Sequence, residues 1–189
     1  MLLGDDERSL RLDYRWRNLE RISPQLPLAV VAAEDQRFPV HHGFDLEAMK
    51  KAYQGNQRGR KIRGGSTISQ QLAKNLFLSS EKNYLRKVQE LVITGLLELM
   101  LSKQRILEIY MNSVEWGEGI FGIGAATSHY YVANPKNISR EQAAALASAL
   151  PAPKCFDKSK YCKRGSINFE VRQQFILENM DRVALPKNR

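Results

Sequence analysis

The chain has 189 residues and a mass of 21.6 kDa, which is enough for one domain with a hydrophobic core of its own. Hydrophobic residues make up 43% and charged residues 26% of the chain, which excludes wholesale disorder, collagen-like repeats and a disulfide-dense miniprotein. Lysine and arginine number 29 against 20 aspartate and glutamate. The net charge of +9 indicates an anionic partner: nucleic acid, an acidic membrane surface or a phosphorylated substrate.

Neither a transmembrane helix nor a signal peptide is predicted from the sequence. The longest apolar run, Leu91 to Leu101, is interrupted by Glu98 and is shorter than the roughly 20 residues that span a bilayer. The first ten residues lack the basic region and the apolar core of a signal peptide. Cys155 and Cys162 lie seven residues apart, which permits a disulfide in an oxidising compartment, and they complete no four-ligand zinc pattern.

Helical patterns dominate the chain and clear β alternation is scarce, so a mainly α fold is predicted. A basic segment over residues 8–21 leads into a helix with Ser23 as N-cap and Pro24 in the first position. This helix is strongly apolar and runs directly into Glu34 and Asp35. Further helices are predicted over residues 45–54, 66–78, 83–112 with a break near Ser102, 125–131, 139–150 and 166–182, with loops over 41–43, 55–65 and 117–124.

Two of these helices carry more specific expectations. Residues 91–101 are apolar almost all round, which predicts a buried central helix. Ser139, with Gln142 three residues later, predicts the N-terminal cap of the following helix, and Pro151 ends that helix.

Most of the net charge lies in one stretch between Ala48 and Ser80, which contains no acidic residue. A solvated, flexible basic loop explains this stretch taken alone, but glycines and cations ahead of a helix N-terminus also suit a phosphate group. A P-loop is excluded, because Gly65 stands where lysine should follow the second glycine. The basic residues are Lys50, Lys51, Arg58, Arg60, Lys61, Arg63 and Lys74.

Two acidic positions are candidates for acid–base chemistry. Glu34 ends an apolar helix, where desolvation can raise the pKa of a carboxyl group toward that of a general base, but an ordinary helix-terminal acid has the same pattern. Glu90 lies one helical turn from Arg86, either as a surface ion pair or as an acid in a cationic frame. His41 and His42 lack the spacing of a zinc site, and we expect His41 to hold its turn by hydrogen bonds.

Four segments resemble, in order, the motifs of the peptidoglycan glycosyltransferases, glycosyltransferase family 51. The first, from Glu34 to Gly43, has the pattern E-D-x-x-F-x-x-H-x-G, and all four lie within about residues 20–153. Residues 115–122 are closer to the monofunctional enzymes than to the bifunctional penicillin-binding proteins. The other three motifs are Gly64-Gly65-Ser66-Thr67-Ile68-Ser69-Gln70-Gln71 with Lys74 and Asn75, then Arg86-Lys87-x-x-Glu90, then Lys103-x-Arg105-Ile-Leu-Glu108-x-Tyr110-Met-Asn112.

The fifth motif departs from the family pattern. It usually ends in Tyr-Phe-Gly-Lys, whereas this chain has Tyr130-Tyr131-Val132-Ala133. Because valine adopts a positive φ less freely than glycine, we expect the turn at Val132 to differ from the family's turn. Pro39 restricts the turn of the first motif in addition.

The resemblance implies a single glycosyltransferase domain over residues 1–189, mainly α and lysozyme-like, with a large globular lobe and a small, mobile, membrane-facing lobe. It implies polymerisation of lipid II into β-1,4-linked glycan strands, with inversion and release of undecaprenyl diphosphate. It also implies a single-pass anchor N-terminal to this chain in the cytoplasmic membrane, with the catalytic domain on the extracytoplasmic, periplasmic side.

The same resemblance implies roles for individual residues. Glu34 is the expected base for the acceptor hydroxyl. Glu90 is expected to assist the leaving group, through nearby cations or through a divalent metal, Mg²⁺ or Mn²⁺, and no organic cofactor is expected. Lys74 and Arg86 are expected to hold the diphosphate. The expected substrate-binding residues are Asp35, Phe38, His41, Gly64, Gly65, Ser66, Thr67, Gln70, Gln71, Lys74, Asn75, Arg86, Lys87 and Asn112.

The expected partners are lipid II, the growing glycan chain, an anionic membrane surface and other cell-wall synthesis proteins, but no nucleic acid. Met49, Tyr53 and Ile62 are expected to enter the membrane interface, where each nearby cation contributes about 1 kcal/mol. Three alternatives stay open: a lysozyme-like hydrolase of peptidoglycan, a non-enzymatic basic module that binds nucleic acid or membrane, and a degenerate family member that acts as a scaffold.

Overall fold

Helices make up most of the chain in the computed structural model, which describes residues 13–50, 65–78, 84–156 and 167–187. The mainly α fold predicted from the sequence is confirmed. In chain order the helices are α1 (Gln25–Glu34), α2 (described over residues 46–50), α3 (Ile68–Phe77), α4 (Tyr84–Met100), α5 (Lys103–Ser113), α6 (Ile123–Tyr131), α7 (Arg140–Ala149), α8 (Pro153–Phe156) and α9 (Phe169–Met180), with 3-10 turns at Leu19–Arg21 and Pro135–Asn137.

Some predicted features lie outside the described residues. They are the basic loop over residues 55–64, the membrane contacts of Tyr53 and Ile62, and Cys162. Cys155, on α8, is disulfide-bonded, as the cysteine spacing permits.

Two groups of helices enclose the core. α7 packs against α9 and α1, while α3 packs against α4 and α5. The alanine-rich α7 lets its neighbours approach closely, and Ala143 and Ala147 are almost completely buried. Trp116, Tyr110 and Phe38 are the largest fully buried side chains, and burial of a side chain such as Phe38 contributes about 1.5–3 kcal/mol.

Side-chain caps begin α5 and α7, and the cap at Ser139 is the one that the sequence predicts. Ser139 and Gln142 form a capping box at α7, and the Ser102 hydroxyl accepts a hydrogen bond from the backbone N–H of Arg105 at α5. The predicted break near Ser102 is therefore confirmed. Each cap gives a partner to an N–H group that has none inside its helix, which stabilises the helix by about 1 kcal/mol.

Other helix boundaries differ from the predicted ones by a few residues. The predicted N-cap at Ser23 is wrong, because α1 begins at Gln25 with Pro24 as its N-cap residue, and the Ser23 hydroxyl instead donates to the carbonyl oxygen of Ile138 at 2.9 Å. α3 begins two residues later than predicted, because Thr67 forms a capping box with Gln70. α6 begins at Ile123, two residues earlier than predicted, and α9 spans Phe169–Met180 within the predicted residues 166–182. Residues 51–54 of the predicted α2 are not among those described.

The predicted loop over residues 117–124 is wrong, because a hairpin and the start of α6 occupy it. Gly122 has a φ of +80°, and a Cβ there would lie 2.8 Å from the carbonyl oxygen of Asn112, so only glycine allows the hairpin to approach α5. The three-stranded sheet has β1 (Asp13–Tyr14) parallel to β3 (Ile120–Phe121), which is antiparallel to β2 (Glu115–Gly117).

α4 is not the buried central helix that its apolar sequence predicts. Glu90 and Thr94 are its buried residues, and they lie one turn apart on the same side. Five apolar residues spaced by three or four positions are between 49% and 83% exposed, and together they form the α4 apolar face: Leu85, Val88, Val92, Leu96 and Leu99. The helix therefore turns its polar stripe inward and its apolar stripe outward, the reverse of an ordinary surface helix. None of the helices within the described ranges is long and apolar enough to cross a bilayer.

The turn after α6 places Val132 in the left-handed conformation, which glycine adopts more freely than valine. Val132 ends α6 with φ +50° and ψ +35°, and its side chain is 92% exposed. Its backbone N–H donates to Ser128, which closes the helix end in the way that glycine usually does. A β-branched residue in this conformation is strained by roughly 1–2 kcal/mol, and little packing offsets the strain.

We expect Val132→Gly to stabilise the protein by about 1 kcal/mol, because the relief of strain exceeds the added chain entropy of glycine. Thermal unfolding of the two proteins measures this difference. The matched control is Val171→Gly on α9, which is also an exposed valine but lies in helical conformation, and which should lower stability by a few tenths of a kcal/mol. A lower melting temperature for Val132→Gly would contradict the strain argument.

Candidate active site

Glu34 lies where the two groups of helices meet, as the last residue of α1. The Gln71 amide on α3 donates to Glu34 Oε2 at 2.9 Å, and Arg172 Nη2 on α9 donates to Oε1 at 2.6 Å. The Glu34 and Arg172 side chains are only 13% and 12% exposed. Each carboxylate oxygen therefore has its own donor, and the two donors come from different helix groups.

Burial raises the pKa of Glu34 above its usual value, as the sequence predicts for an acid that ends an apolar helix. The hydrogen bond from Gln71 and the charge of Arg172 act against this rise and lower the pKa, whereas the neighbouring Asp35 raises it. A carboxylate that binds a proton more readily than usual, yet still ionises because of its donors, suits a general base.

Asp35 has different partners from its neighbour Glu34, because its carboxylate binds His41 and the backbone at the start of α3. Asp35 Oδ2 lies 2.9 Å from His41 Nε2 and accepts the backbone N–H of Ile68, the first residue of α3, at 3.0 Å. His41 thus holds its turn as predicted. The Asp35 carboxylate ties the end of α1 to the start of α3, and this fixes Glu34 relative to the second motif.

A cleft opens beside Glu34 between the end of α1 and the residues before α3. Gly65 and Ser66 line it together with Glu34, Asp35, Arg37 and Phe175. Arg37 forms ion pairs with Asp45 and Glu47 on the same side of the cleft. The first and second motifs therefore meet at one cleft, although Gly64 lies outside the described residues.

Several side chains that were expected to bind substrate are instead buried within the protein. Phe38 and Asn112 have no exposed surface, and Thr67 and Gln70 are almost completely buried in the α3 capping box. Thr67 also donates to the carbonyl oxygen of Gly43 at 2.6 Å. Asn112 bonds both backbone groups of Arg17. In this conformation these side chains shape the backbone around the cleft and have no surface for a substrate.

In the third motif the Glu90 side chain is buried, whereas the Lys87 side chain is exposed. Glu90 is 4% exposed, and Lys87 Nζ lies 2.5 Å from its Oε1. Lys74 and Asn75 on α3 are exposed, so their side chains are available to an anionic substrate. The roles predicted for Glu90, Lys74, Asn75, Arg86 and Lys87 stay predictions.

A buried ionic network beneath the first motif was not predicted from the sequence. Lys103 Nζ lies 2.7 Å from Glu98 Oε1 and 4.4 Å from the centre of the Phe38 ring. Ser69 on α3 donates to the same Glu98 oxygen. Burial lowers the pKa of Lys103, while Glu98 and Asp35 raise it. The network joins α3, α4 and α5 directly under the turn that carries His41.

The described residues contain no group of three or more His, Cys, Asp or Glu side chains that could hold a metal ion. Glu90 is the carboxylate that the sequence associates with a metal, and Lys87 already binds one of its oxygens. A metal at Glu90 would therefore take most of its ligands from the substrate and from water, as Mg²⁺ commonly does.

Two contributors to the site had no signal in the sequence. Arg172 lies 138 residues after Glu34, outside the four motifs, in a helix with no distinctive pattern. Tyr110 lies within the fourth motif, but only the fold shows that its hydroxyl donates to Gln71 Oε1 at 3.0 Å. The sequence motif does not reveal that Tyr110 is buried or which group its hydroxyl binds.

Comparison with known proteins agrees with this geometry. The family model described as Transglycosylase matches residues 7–181. The chain is 54% identical over 186 residues to the biosynthetic peptidoglycan transglycosylase of Cupriavidus metallidurans, which covers 98% of this chain and 80% of that protein. It is 52% identical to the protein of the same name from Ralstonia nicotianae, with the same coverage, and 54% identical to that from Nitrosospira multiformis over 97% of this chain and 79% of that protein. The chain belongs to the transglycosylase family of peptidoglycan glycosyltransferases.

Proposed function

We propose that this glycosyltransferase polymerises lipid II and that Glu34 is the base of the reaction. The observation that carries the proposal is the Glu34 carboxylate, which is buried, held by two donors and open to a cleft lined by the second motif. A general base needs this combination of a raised pKa and a fixed orientation. Membership of the family supports the substrate class.

The reaction requires three events at the cleft. The 4-hydroxyl of the acceptor's GlcNAc loses its proton to Glu34, and its oxygen forms a bond to C1 of the donor's MurNAc. The bond between C1 and the diphosphate breaks, with inversion at C1, and undecaprenyl diphosphate leaves with the electron pair. We propose that the exposed Lys74, together with Arg86 and the backbone at Gly65 and Ser66, stabilises the diphosphate as its charge increases.

Polymerisation of labelled lipid II in detergent tests the proposal. We expect long glycan chains that lysozyme degrades, together with release of undecaprenyl diphosphate. Incubation with finished peptidoglycan is the parallel assay for a hydrolase. Soluble fragments from that assay, without polymer from lipid II, would favour the lysozyme-like alternative. Binding of DNA in a gel shift, with neither activity, would favour the basic binding module.

A peptidoglycan synthesis enzyme is associated with the cell envelope, and we propose that this one docks on the outer side of the cytoplasmic membrane. The α4 apolar face and the exposed Phe77 at the end of α3 offer apolar surface, while Lys74 and Lys87 nearby offer positive charge. Because the buried residues of α4 are polar, the α4 apolar face points away from the core. An N-terminal single-pass anchor and contacts with other cell-wall synthesis proteins belong to the same proposal.

Replacing both Leu96 and Leu99 by Glu should reduce binding to anionic vesicles at least about tenfold, because each buried leucine contributes roughly 1.5–3 kcal/mol. Co-sedimentation with phosphatidylglycerol vesicles measures the binding, and raising the salt concentration should weaken it for the wild type. Val171→Glu, an exposed valine on α9, is the matched control and should bind like the wild type. Equal binding by all three proteins, or binding that is indifferent to salt, would contradict the proposed surface.

We also propose that polymerisation depends on Mg²⁺ or Mn²⁺, with Glu90 as the residue that would hold the metal. When bound there, the ion would neutralise negative charge on the diphosphate. Chelation by EDTA should therefore lower the rate of polymerisation, and either metal should restore it. A full rate in EDTA would show that Lys74, Arg86 and Lys87 neutralise the diphosphate without a metal.

A further inference from the structure

We propose that Tyr110 is a positioning residue for the Glu34 carboxylate and that it acts through the amide of Gln71. The inference rests on the proposed role of Glu34 as the base. It assigns Gln71, which was expected to bind substrate, to the support of the base. It also gives a function to the hydroxyl group of a tyrosine that is only 1% exposed.

Two hydrogen bonds link the three residues in one direction. The Tyr110 hydroxyl on α5 donates to Gln71 Oε1 at 3.0 Å, and Gln71 Nε2 on α3 donates to Glu34 Oε2 at 2.9 Å. Burial raises the pKa of the Tyr110 hydroxyl well above its usual value, so the group stays protonated and remains a donor. Both ends of the Gln71 amide are therefore engaged inside the protein.

The direction of these bonds depends on the charge of Glu34. An ionised carboxylate only accepts, so the amide must present Nε2 to Glu34 and leave Oε1 for a donor. Tyr110 supplies that donor. Without the Tyr110 hydroxyl the Gln71 amide is free to rotate. A rotated amide would turn Oε1 toward Glu34, and two hydrogen-bond acceptors would then face each other. The Tyr110 hydroxyl therefore favours the ionised form of Glu34, which is the form that removes a proton.

Three other charged or titratable groups face Glu34. Arg172 on α9 binds its second oxygen, Asp35 is adjacent along the chain, and Tyr110 approaches from α5. Arg172 fixes one carboxylate oxygen and Gln71 the other, so the plane of the carboxylate is set relative to the cleft. Tyr110 contributes by holding the second of these donors in its correct rotation.

Tyr110→Phe removes the hydroxyl and keeps the ring in the core. We expect the titration of Glu34 to move to higher pH by about 0.5–1 unit, because a donor to the ionised form is lost. NMR of protein labelled with ¹³C at glutamate carboxyl groups measures this, and the Glu34→Gln spectrum assigns the signal. In the lipid II assay kcat should fall about three- to tenfold on the acid limb, below the pKa of Glu34, with KM changed less than twofold, and the acid limb of kcat/KM should move to higher pH by the same amount as the NMR titration.

Tyr131→Phe on α6 is the matched control, since its half-buried hydroxyl bonds the Gln142 carbonyl oxygen and has no link to Glu34. Gln71→Leu is the second variant, because it removes the same link at its middle. If the inference is correct, Tyr110→Phe adds little to the effect of Gln71→Leu, since both remove one link. Additive effects, or a Glu34 titration in Tyr110→Phe equal to that of the control, would overturn it.

The NMR titration separates this inference from the proposed function, because it needs no substrate. A wild-type protein that fails to polymerise lipid II would refute the proposed function. Even then, a Glu34 titration that moves to higher pH in Tyr110→Phe would support the positioning role. Polymerisation by the wild type with an unmoved titration in Tyr110→Phe would support the function and refute the inference.

Discussion

Glu34→Gln should reduce the rate of lipid II polymerisation by roughly 10²–10⁴-fold, which is the usual contribution of a general base. Glutamine has nearly the same shape and can still accept a hydrogen bond from Arg172, but it does not take up the proton of the acceptor hydroxyl. The rate of polymer formation measures the loss, and binding of a non-reacting lipid diphosphate should change little.

The control for this variant is Glu178→Gln on α9, where an exposed glutamate bonds only the neighbouring Gln174 among the described residues. We expect it to polymerise lipid II like the wild type. Thermal unfolding of both variants checks that each is folded. Polymer from Glu34→Gln at a wild-type rate would mean that another group is the base.

Arg172→Met should lower activity most strongly at acidic pH. Arg172 lowers the pKa of Glu34 against the effect of burial, so its removal raises that pKa further. The base works only when it is ionised, and its activity is lost as the pH falls through this higher value. The acid limb of kcat/KM should therefore move to higher pH. A pH profile of lipid II polymerisation measures the shift.

The same substitution should also change how stability depends on pH. A carboxyl group with a raised pKa in the folded protein favours folding most below its unfolded pKa, and this contribution is lost as the pH rises through the folded pKa. The stability of Arg172→Met should thus be closest to that of the wild type at acidic pH and lower than that of the wild type at neutral pH. There, a buried carboxylate without its partner costs about 3–5 kcal/mol. Melting temperatures measured across pH test this.

Arg140→Met is a suitable comparison, because Arg140 also bonds α9, through Leu177 and an exposed Asp181. It should lower stability without moving the acid limb. If Arg172→Met and Arg140→Met had the same pH profile of activity, the effect of Arg172 would be structural and unrelated to Glu34.

Local patterns were sufficient to predict much of the fold, and the resemblance to the family's first motif predicts Glu34 as the base. Ser139 predicts a helix start, because an N-cap is decided by residues within one turn, and a helix break is predicted near Ser102. The apolar helix that ends in Glu34 predicts a carboxyl group whose pKa is raised by burial, and the fold shows this rise. Motif similarity did not reveal that Phe38, Thr67, Gln70 and Asn112 are buried, and their contacts with substrate stay predictions.

Other features depend on surroundings that a local pattern does not contain. The apolar sequence of α4 fits a helix in a core and a helix that faces an apolar medium equally well, so the periodicity did not reveal that Leu96 and Leu99 face outward. The sequence did not show that Val132 takes a positive φ where it closes the end of α6. The sequence did not predict Arg172 as the partner of Glu34, because the two residues meet only through the packing of α9 on α1.

The distance along the chain between Glu34 and Arg172 also affects the order in which the protein becomes active. All four motifs are complete by Asn112, but Glu34 acquires its cation only when α9 docks on α1. Contacts between such distant segments form late, because the intervening chain must first be ordered. A chain shortened to residue 153 would contain every motif and still lack the Arg172 partner of its base. We therefore expect the minimum functional unit to be longer than the span of the motifs, because the ion pair between Glu34 and Arg172 requires α9.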